Sequence, residues 1–185
     1  MEPVFVTPRL SLRKVTSGDA ALLLELMNEP PYIENIGDRG VRTAPDAARY
    51  IEDKYTVSYE RNGYGLYLVE LREGLVPIGI CGLVRRPALD HPDVGFAYLQ
   101  RFWSKGYASE AAEATLAFAR DTLALPYLYG VVSPSNARSI RILERLGLRY
   151  LRPIQIPGNS SEAQVYGMEL RPVSPAGAGS HPGGR

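Results

Sequence analysis

The amino-acid sequence predicts a single domain of the α/β or α+β class, in which strands and helices alternate. Short apolar runs bounded by turn residues alternate along the chain with segments of helical periodicity. The length of 185 residues suits one domain, and a hydrophobic content of 45% is enough for one core. No internal repeat and no interior linker divides the sequence.

The first half of the chain is predicted to contain four strands and two helices. Asp19 is a favourable N-cap for a helix that ends near residue 27, and Asp46 for one that continues toward residue 59. Between them, the Pro/Gly-rich segment 29–45 is predicted to be a loop that shapes a site. The predicted strands cover residues 4–15, 64–71, 75–83 and 93–99.

The second half is predicted to contain two helices and three strands. The helices span residues 106–120 and 136–146, with Gly147 as the C-terminal glycine of the second. The strands cover residues 127–132, 148–156 and 163–170. The domain is predicted to occupy residues 1–171. Residues 172–185, rich in Pro, Gly, Ser and Ala without periodicity, are predicted to form a flexible tail.

Composition excludes several classes of function. A formal net charge of +1 gives no basic footprint for nucleic acid. The single cysteine, Cys81, allows no internal disulfide, which fits a reducing compartment. Residues 1–12 carry charge and two prolines, which is not typical of a signal peptide, and no apolar run is long enough to span a membrane. We therefore expect a cytoplasmic protein.

The strongest functional signal is the segment 103–111 (WSKGYASEA), which links the predicted strand 93–99 to a predicted helix. The first turn of a helix presents unpaired N–H groups, and the helix dipole adds partial positive charge there. Gly106 and Ala108 keep bulky side chains away from that turn. This pattern predicts a site for the pyrophosphate of a cofactor.

The helix 136–146 has a polar pair on an otherwise apolar face. At 100° per residue, Asn136 and Ser139 share a face with Ile140 and Leu143. Buried polar side chains need partners, so the pair could meet a cofactor. Alternatively, Asn136 could cap the helix and Ser139 could bond back to a carbonyl.

Several blocks in this order resemble the GNAT acetyltransferase superfamily, within it the RimJ/RimL-type branch of ribosomal-protein N-terminal acetyltransferases. The resemblance covers roughly residues 5–170. It is carried by residues 9–13 (RLSLR), 95–96 (GF), 103–111 (WSKGYASEA), 136–139 (NARS) and 146–148 (LGL).

The resemblance implies an α+β (α/β/α) fold with a mixed, mostly antiparallel twisted sheet of about seven strands, flanked by four helices. The fourth and fifth strands would splay apart to form a cleft. It also implies acetyl-CoA as donor and a primary amine as acceptor, either a protein or peptide N-terminal α-amine or a small-molecule amine. The net charge, the two histidines and the lack of a long apolar run predict no nucleic acid, no metal and no membrane as partners, and an exposed edge strand would permit either a monomer or a homodimer.

Two alternatives stay open. One is a catalytically silent CoA-binding regulatory module, because Leu143 stands where many relatives have a catalytic tyrosine. The other is an unrelated nucleotide-binding α/β protein.

By resemblance, the cofactor-binding residues come from the fourth strand, the segment after it and the start of the second helix. They are Phe96, Ala97, Tyr98, Leu99, Trp103, Ser104, Lys105, Gly106, Tyr107, Ala108, Asn136 and Ser139. Arg138, Arg141 and Arg145 could attract the CoA 3′-phosphate, although a solvated basic face is the simpler interpretation.

Three residues are candidates for catalysis. Ser139 would stabilise the departing thiolate in place of the missing tyrosine. Asp93 would act as the base, unless it is a solvated turn residue after His91-Pro92. Glu34, with Tyr32, would help wall the acceptor site. Cys81, in an apolar run, is interpreted as a core residue, and the two histidines, His91 and His181, support neither a triad nor a zinc site.

Overall fold

The computed structural model describes residues 2–155 and 162–170. Within them, eight strands form one sheet. They are β1 (Phe5–Val6), β2 (Leu10–Lys14), β3 (Leu66–Leu71), β4 (Val76–Val84), β5 (Asp93–Tyr98), β6 (Tyr127–Val132), β7 (Arg149–Ile154) and β8 (Ala163–Glu169). Their order across the sheet is β1-β2-β3-β4-β5-β6-β8-β7. The predicted tail, 172–185, lies outside the described residues.

All neighbouring strands pair antiparallel except β5 and β6, which pair in parallel. That parallel pairing covers only Asp93 opposite Tyr129 and Val94 opposite Gly130. Beyond Val94, the edge of β5 that faces β6 has no strand partner among the described residues, so the sheet opens into a cleft. The prediction of a mixed, mostly antiparallel sheet that splays at this point is confirmed.

The described residues contain six α-helices. They are α1 (Ala20–Asn28), α2 (Pro30–Asn35), α3 (Ala44–Tyr50), α4 (Val57–Asn62), α5 (Tyr107–Asp121) and α6 (Ala137–Arg145). A π-helical stretch, Ile51–Thr56, joins α3 to α4. No helix among residues 2–155 and 162–170 is long and apolar enough to cross a membrane.

The opening strand predicted over 4–15 is wrong as a single strand. It is a hairpin of β1 and β2, which makes eight strands where about seven were expected. Pro8 has no N–H to continue a ladder, and Thr7 closes the turn. The main-chain N–H of Thr7 donates to the Leu10 carbonyl at 2.9 Å, and that of Leu10 donates to Thr7 Oγ1, also at 2.9 Å.

The segment 29–45 is not wholly a loop, because α2 begins within it at Pro30, where a missing N–H has no cost. The N-cap of α3 is Thr43, not Asp46. Thr43 Oγ1 accepts from the Asp46 N–H, and Asp46 bonds back in a capping box. Asp19 stands at the N-cap of α1, but its carboxylate does not cap that helix; it accepts from the Thr16 N–H at 2.8 Å.

Helix α5 packs closely on β4 and β5 because its inner face is small. Ala111, Ala112, Thr115 and Ala119 on that face are fully buried. This close approach sets the N-terminus of α5 beside the opening between β5 and β6. Helix α6 contacts both β6 and α5, so it borders the same opening.

Candidate active site

Two adjoining cavities occupy the cleft. The α5 cavity, of about 830 Å³, lies between the start of α5 and helix α6. The α4 cavity, of about 530 Å³, lies between α4, the end of β4 and the start of β5. Both cavities are bordered by one shared wall, formed by Tyr32, Asn35, Ile36, Phe96, Ala97, Asn136 and Ser139. The two cavities therefore meet at this wall.

The N-terminus of α5 opens into the α5 cavity without a side-chain cap. Gly106 occupies the N-cap position with φ +82°, and no side-chain cap among the described residues accepts from the main-chain N–H groups of the first turn. The first helical bond runs from the Glu110 N–H to the Gly106 carbonyl, at 3.1 Å. The N–H groups of residues 107–109 thus lack helical partners, and with the helix dipole they can hold an anion.

Backbone conformation explains the glycine at position 106. A left-handed φ strains any residue with a Cβ. A Cβ on Gly106 would also lie 3.2 Å from Nη2 of Arg9, so it would press on that side chain. Ser104 is left-handed as well, at φ +61°, a conformation that glycine would adopt more readily.

Arg9, in the turn between β1 and β2, supports the 103–106 turn. Its Nη1 donates to the Lys105 carbonyl at 2.9 Å, and its Nε donates to Glu110 Oε2 at 2.6 Å. Thr7 Oγ1 donates to the other oxygen of Glu110 at 2.6 Å. The guanidinium lies 4.7 Å from the centre of the Tyr107 ring. The N-terminal hairpin therefore holds the 103–106 turn and neutralises a carboxylate in the first turn of α5.

Trp103 fastens the other end of the turn. Its indole N–H donates to the Tyr98 carbonyl at 2.7 Å, which ties the turn to the end of β5. Arg138 of α6 lies over the indole ring, 4.9 Å from its centre. Trp103 thereby links the end of β5 to α6 at the border of the α5 cavity.

On α6, Asn136 caps the helix. Its Oδ1 accepts from the Ser139 N–H at 3.1 Å, so the capping interpretation is confirmed, although Asn136 also borders both cavities. The Ser139 hydroxyl is half-buried and has no hydrogen-bond partner among the described residues. Leu143 is buried against β6. A Cβ on Gly130 would lie 2.6 Å from its Cδ2, so this position is an apolar wall.

Asp93 is not the solvated turn residue that was left open as an alternative. It is 1% exposed and borders the α4 cavity. Arg86 Nε donates to its Oδ1 at 2.8 Å, and Arg86 Nη2 donates to its Oδ2 at 3.3 Å. Burial raises the pKa of Asp93 to about 6, against the lowering effect of Arg86. A carboxyl group with this pKa can exchange a proton near neutral pH.

Comparison with known proteins identifies the family. The family model described as an acetyltransferase (GNAT) domain matches residues 9–149. The chain belongs to the GNAT acetyltransferase family. Enzymes of this family use acetyl-CoA, so the chain is an acetyl-CoA-dependent N-acetyltransferase and the alternative of an unrelated nucleotide-binding protein is wrong.

Known relatives span most of this GNAT chain. The uncharacterised N-acetyltransferase p20 of Bacillus licheniformis is 28% identical over 153 residues, which are 80% of this chain and 83% of p20. The structure of an acetyltransferase from Agrobacterium tumefaciens has a TM-score of 0.75 at 28% identity, covering 90% of this chain and 94% of that one. The RimL ribosomal L7/L12 α-N-protein acetyltransferase, solved with coenzyme A, has a TM-score of 0.77 at 15% identity, covering 91% and 98%. At that identity, RimL shows a shared fold.

In this GNAT structure most of the predicted cofactor residues border the α5 cavity together. They are Phe96, Ala97, Tyr98, Trp103, Ser104, Gly106, Tyr107, Ala108, Asn136 and Ser139. Leu99 is fully buried in the core, and Lys105 borders neither cavity. The exposed side chains of Arg138, Arg141 and Arg145 also border the α5 cavity.

The remaining candidates are separated. Glu34 is exposed on α2 and borders the α5 cavity, whereas Asp93 borders the α4 cavity. Tyr32 is buried between the two, and burial raises its pKa to about 12. Cys81 is a core residue as predicted, and burial raises its pKa to about 11. His181 lies outside the described residues, within which no group of three or more His, Cys, Asp or Glu side chains could hold a metal.

Sequence reasoning missed the residues that support the site. Arg9 and Glu110 both stood in the quoted blocks, 9–13 and 103–111, without a role of their own. Their contact joins residues 101 positions apart, which no local pattern can indicate. Arg86 was missed as the partner of Asp93 for a different reason: the six residues between them form a turn that the periodicity did not resolve.

Proposed function

We propose that this enzyme transfers the acetyl group of acetyl-CoA to a primary amine that binds in the α4 cavity. One observation carries the proposal: the uncapped N-terminus of α5 opens beside a β5 edge without a strand partner. Free N–H groups at a helix N-terminus suit a pyrophosphate, and an unpaired strand edge suits the amide groups of the pantetheine arm of CoA. The acceptor would be a protein N-terminal α-amine or a small-molecule amine.

The cofactor half of the proposal uses the α5 cavity. Backbone N–H groups at residues 107–109 would hold the pyrophosphate, and the open edge of β5 at Phe96–Tyr98 would pair with the pantetheine arm. Arg138, Arg141 and Arg145 are available for the remaining phosphate. Leu99 and Lys105 are left out of this assignment because their side chains do not reach the cavity wall. Acetyl-CoA supplies an activated thioester when bound.

On the acceptor side, Asp93 would receive the proton that the amine must lose before it attacks, directly or through water. The Arg86 ion pair fixes the orientation of its carboxylate, and burial keeps the pKa within reach of neutral pH. We assign no proton transfer to Glu34, because its exposed side chain borders the other cavity.

Ser139 would donate a hydrogen bond to the departing thiolate. Its hydroxyl stands in the wall that both cavities share and has no other partner among the described residues. A serine hydroxyl is a weak acid, so stabilisation by hydrogen bonding is the role that its chemistry supports. Leu143 has no polar atom and takes no part.

The proposal is tested by thiol release from acetyl-CoA against a panel of amines that includes short peptides with varied N-termini. We expect at least one amine to be acetylated in a reaction that requires acetyl-CoA, with the acetylated product identified by mass spectrometry. Binding of CoA without turnover of any amine would support the silent regulatory module, and failure to bind CoA would remove the cofactor assignment. The cytoplasmic location stays a prediction.

A further inference from the structure

Cationic side chains outnumber acidic ones on the wall of the α4 cavity. Four cationic side chains border it from separate elements: Arg39 follows α2, Lys54 and Arg61 lie on the α3–α4 stretch, and Arg85 follows β4. All four are exposed, so they stand around the mouth. The formal net charge of the whole chain is only +1, which makes this concentration a local feature.

Within the described part of the chain, no carboxylate pairs with these four cations. The Asp93 carboxylate on the same wall is already engaged by Arg86. Arg39 and Arg85 donate to the main-chain carbonyls of Ile36 and Leu89, and Arg39 also interacts with the Tyr32 hydroxyl, so neither of these bonds is to a carboxylate. Across residues 2–155 and 162–170, none of the four forms an ion pair with a carboxylate, and Asp53 is the one other acidic residue on this wall.

The phosphates of CoA do not account for them. None of the four cations borders the α5 cavity, which has its own arginines at positions 138, 141 and 145. The two basic groups are therefore separate: one faces the proposed cofactor and the other faces the proposed acceptor.

A positive wall has two consequences for an acceptor. It repels polycations and attracts anions, and a partly enclosed cavity strengthens this effect. It also favours the neutral form of a nearby amine over the ammonium form. Only the neutral amine can attack the thioester. An acceptor with an anionic group beside its amine gains from both effects.

We propose that the acceptor is an amine with an anionic group close to it, such as an acidic amino acid or an acidic peptide N-terminus. The proposal rests on acetyl transfer at this site and narrows its substrate class. It predicts that polyamines and other polycations are poor acceptors.

The first experiment compares kcat/KM for matched acceptors with the wild-type enzyme. Aspartate, O-phosphoethanolamine and a tetrapeptide that begins with Asp-Glu are the anionic acceptors, and they distinguish a free amino acid, a phosphate and a peptide as the source of the charge. Alaninamide is the neutral acceptor and spermidine the polycation. We expect an anionic acceptor to exceed both of the others by about tenfold or more, and the advantage to shrink between low and high salt.

The second experiment reverses the charge of the wall with Lys54→Glu and Arg61→Glu together. Arg149→Glu on β7 is the matched control, because Arg149 is exposed and borders neither cavity. We expect the double variant to lose about tenfold or more in kcat/KM for the anionic acceptor and to gain for spermidine, with CoA affinity unchanged.

The outcomes separate the two proposals. Turnover that favours neutral or cationic amines, or a double variant that behaves like the control, overturns the assignment of an anionic acceptor and leaves acetyl transfer standing. Absence of turnover with every amine overturns both. Changed CoA affinity in the double variant would assign these cations to the cofactor and overturn the inference.

Discussion

The guanidinium of Arg9 connects the start of β2 to the turn that precedes α5: its Nη1 donates to the main-chain carbonyl of Lys105 at 2.9 Å. The same side chain pairs with Glu110 in the first turn of α5. It thus fixes the position of the proposed phosphate site and cancels a negative charge that would otherwise face a bound anion.

Replacement of Arg9 by Ala is expected to weaken CoA binding by about tenfold, or about 1.4 kcal/mol, because the turn loses its brace and Glu110 loses its partner. The measurement is calorimetric titration with CoA. Glu113→Gln, at an exposed position of the same helix, is the control. If the charge of Glu110 contributes, the double variant Arg9→Ala/Glu110→Gln will bind CoA better than Arg9→Ala alone. Equal CoA affinities of the wild type and Arg9→Ala would contradict the proposal that Arg9 supports the phosphate site.

Substitution at Gly106 tests the left-handed turn. Gly106→Val should lower CoA affinity by about tenfold or more, since a β-branched residue cannot adopt φ +82° without strain and its Cβ would press on Arg9. Ser104→Gly is the opposite case, because glycine suits the positive φ found there. It should preserve affinity and raise the melting temperature slightly. A folded Gly106→Val enzyme that binds CoA with wild-type affinity would contradict the assignment of the phosphate site.

Ser139→Ala tests the hydrogen bond to the thiolate. We expect kcat to fall by about 10- to 100-fold with nearly unchanged CoA affinity, because the bond forms only as charge develops on sulfur. Ser17→Ala, at an exposed position that borders neither cavity, is the control. Single-turnover kinetics would establish that chemistry limits the rate. An unchanged chemical step would assign Ser139 to the structure of the helix.

Asp93→Asn tests the proton acceptor through pH dependence. Because burial raises the pKa of Asp93 to about 6, the wild-type carboxylate is ionised above that pH and protonated below it. The wild-type rate should therefore fall as pH drops through about 6, and the deficit of Asp93→Asn should be largest above pH 6 and shrink below it.

The control for this profile is Asp90→Asn. Asp90 is exposed, bonds to the Tyr129 hydroxyl at 2.8 Å and borders neither cavity. The same raised pKa makes the free energy of unfolding depend on pH. The stabilisation that comes from protonated Asp93 is fully present below the pKa that this carboxyl has in the unfolded chain, and it is lost as pH rises through about 6. Unfolding curves at pH 5 and 7 would show whether Asp93→Asn removes that dependence. Parallel activity profiles of Asp93→Asn and wild type would exclude Asp93 as the base.

Local signals in the sequence determined much of the fold. The strand Tyr127–Val132 was predicted to the residue, and α5 and α6 to within about one residue at each end, because periodicity, an N-cap asparagine and a terminal glycine act within a few positions. The predictions failed where two short elements adjoin, at the β1–β2 hairpin and at α2. There the apolar pattern is too brief to separate one element from its neighbour.

The sequence by itself determined the class of fold, the glycine turn at Gly106 that we propose as the phosphate site, and the resemblance to an acetyltransferase family, since each depends on neighbouring residues. Only the tertiary structure decided that Asp93 is buried against Arg86, that Leu99 lies in the core and that Glu34 and Asp93 border different cavities. It also decided that Arg9 supports the turn before α5 and that four cations surround one cavity. The physical reason is that burial, pairing and local electric field depend on which segments meet in space, whether they are 101 positions apart, as Arg9 and Glu110 are, or seven apart across a turn, as Arg86 and Asp93 are.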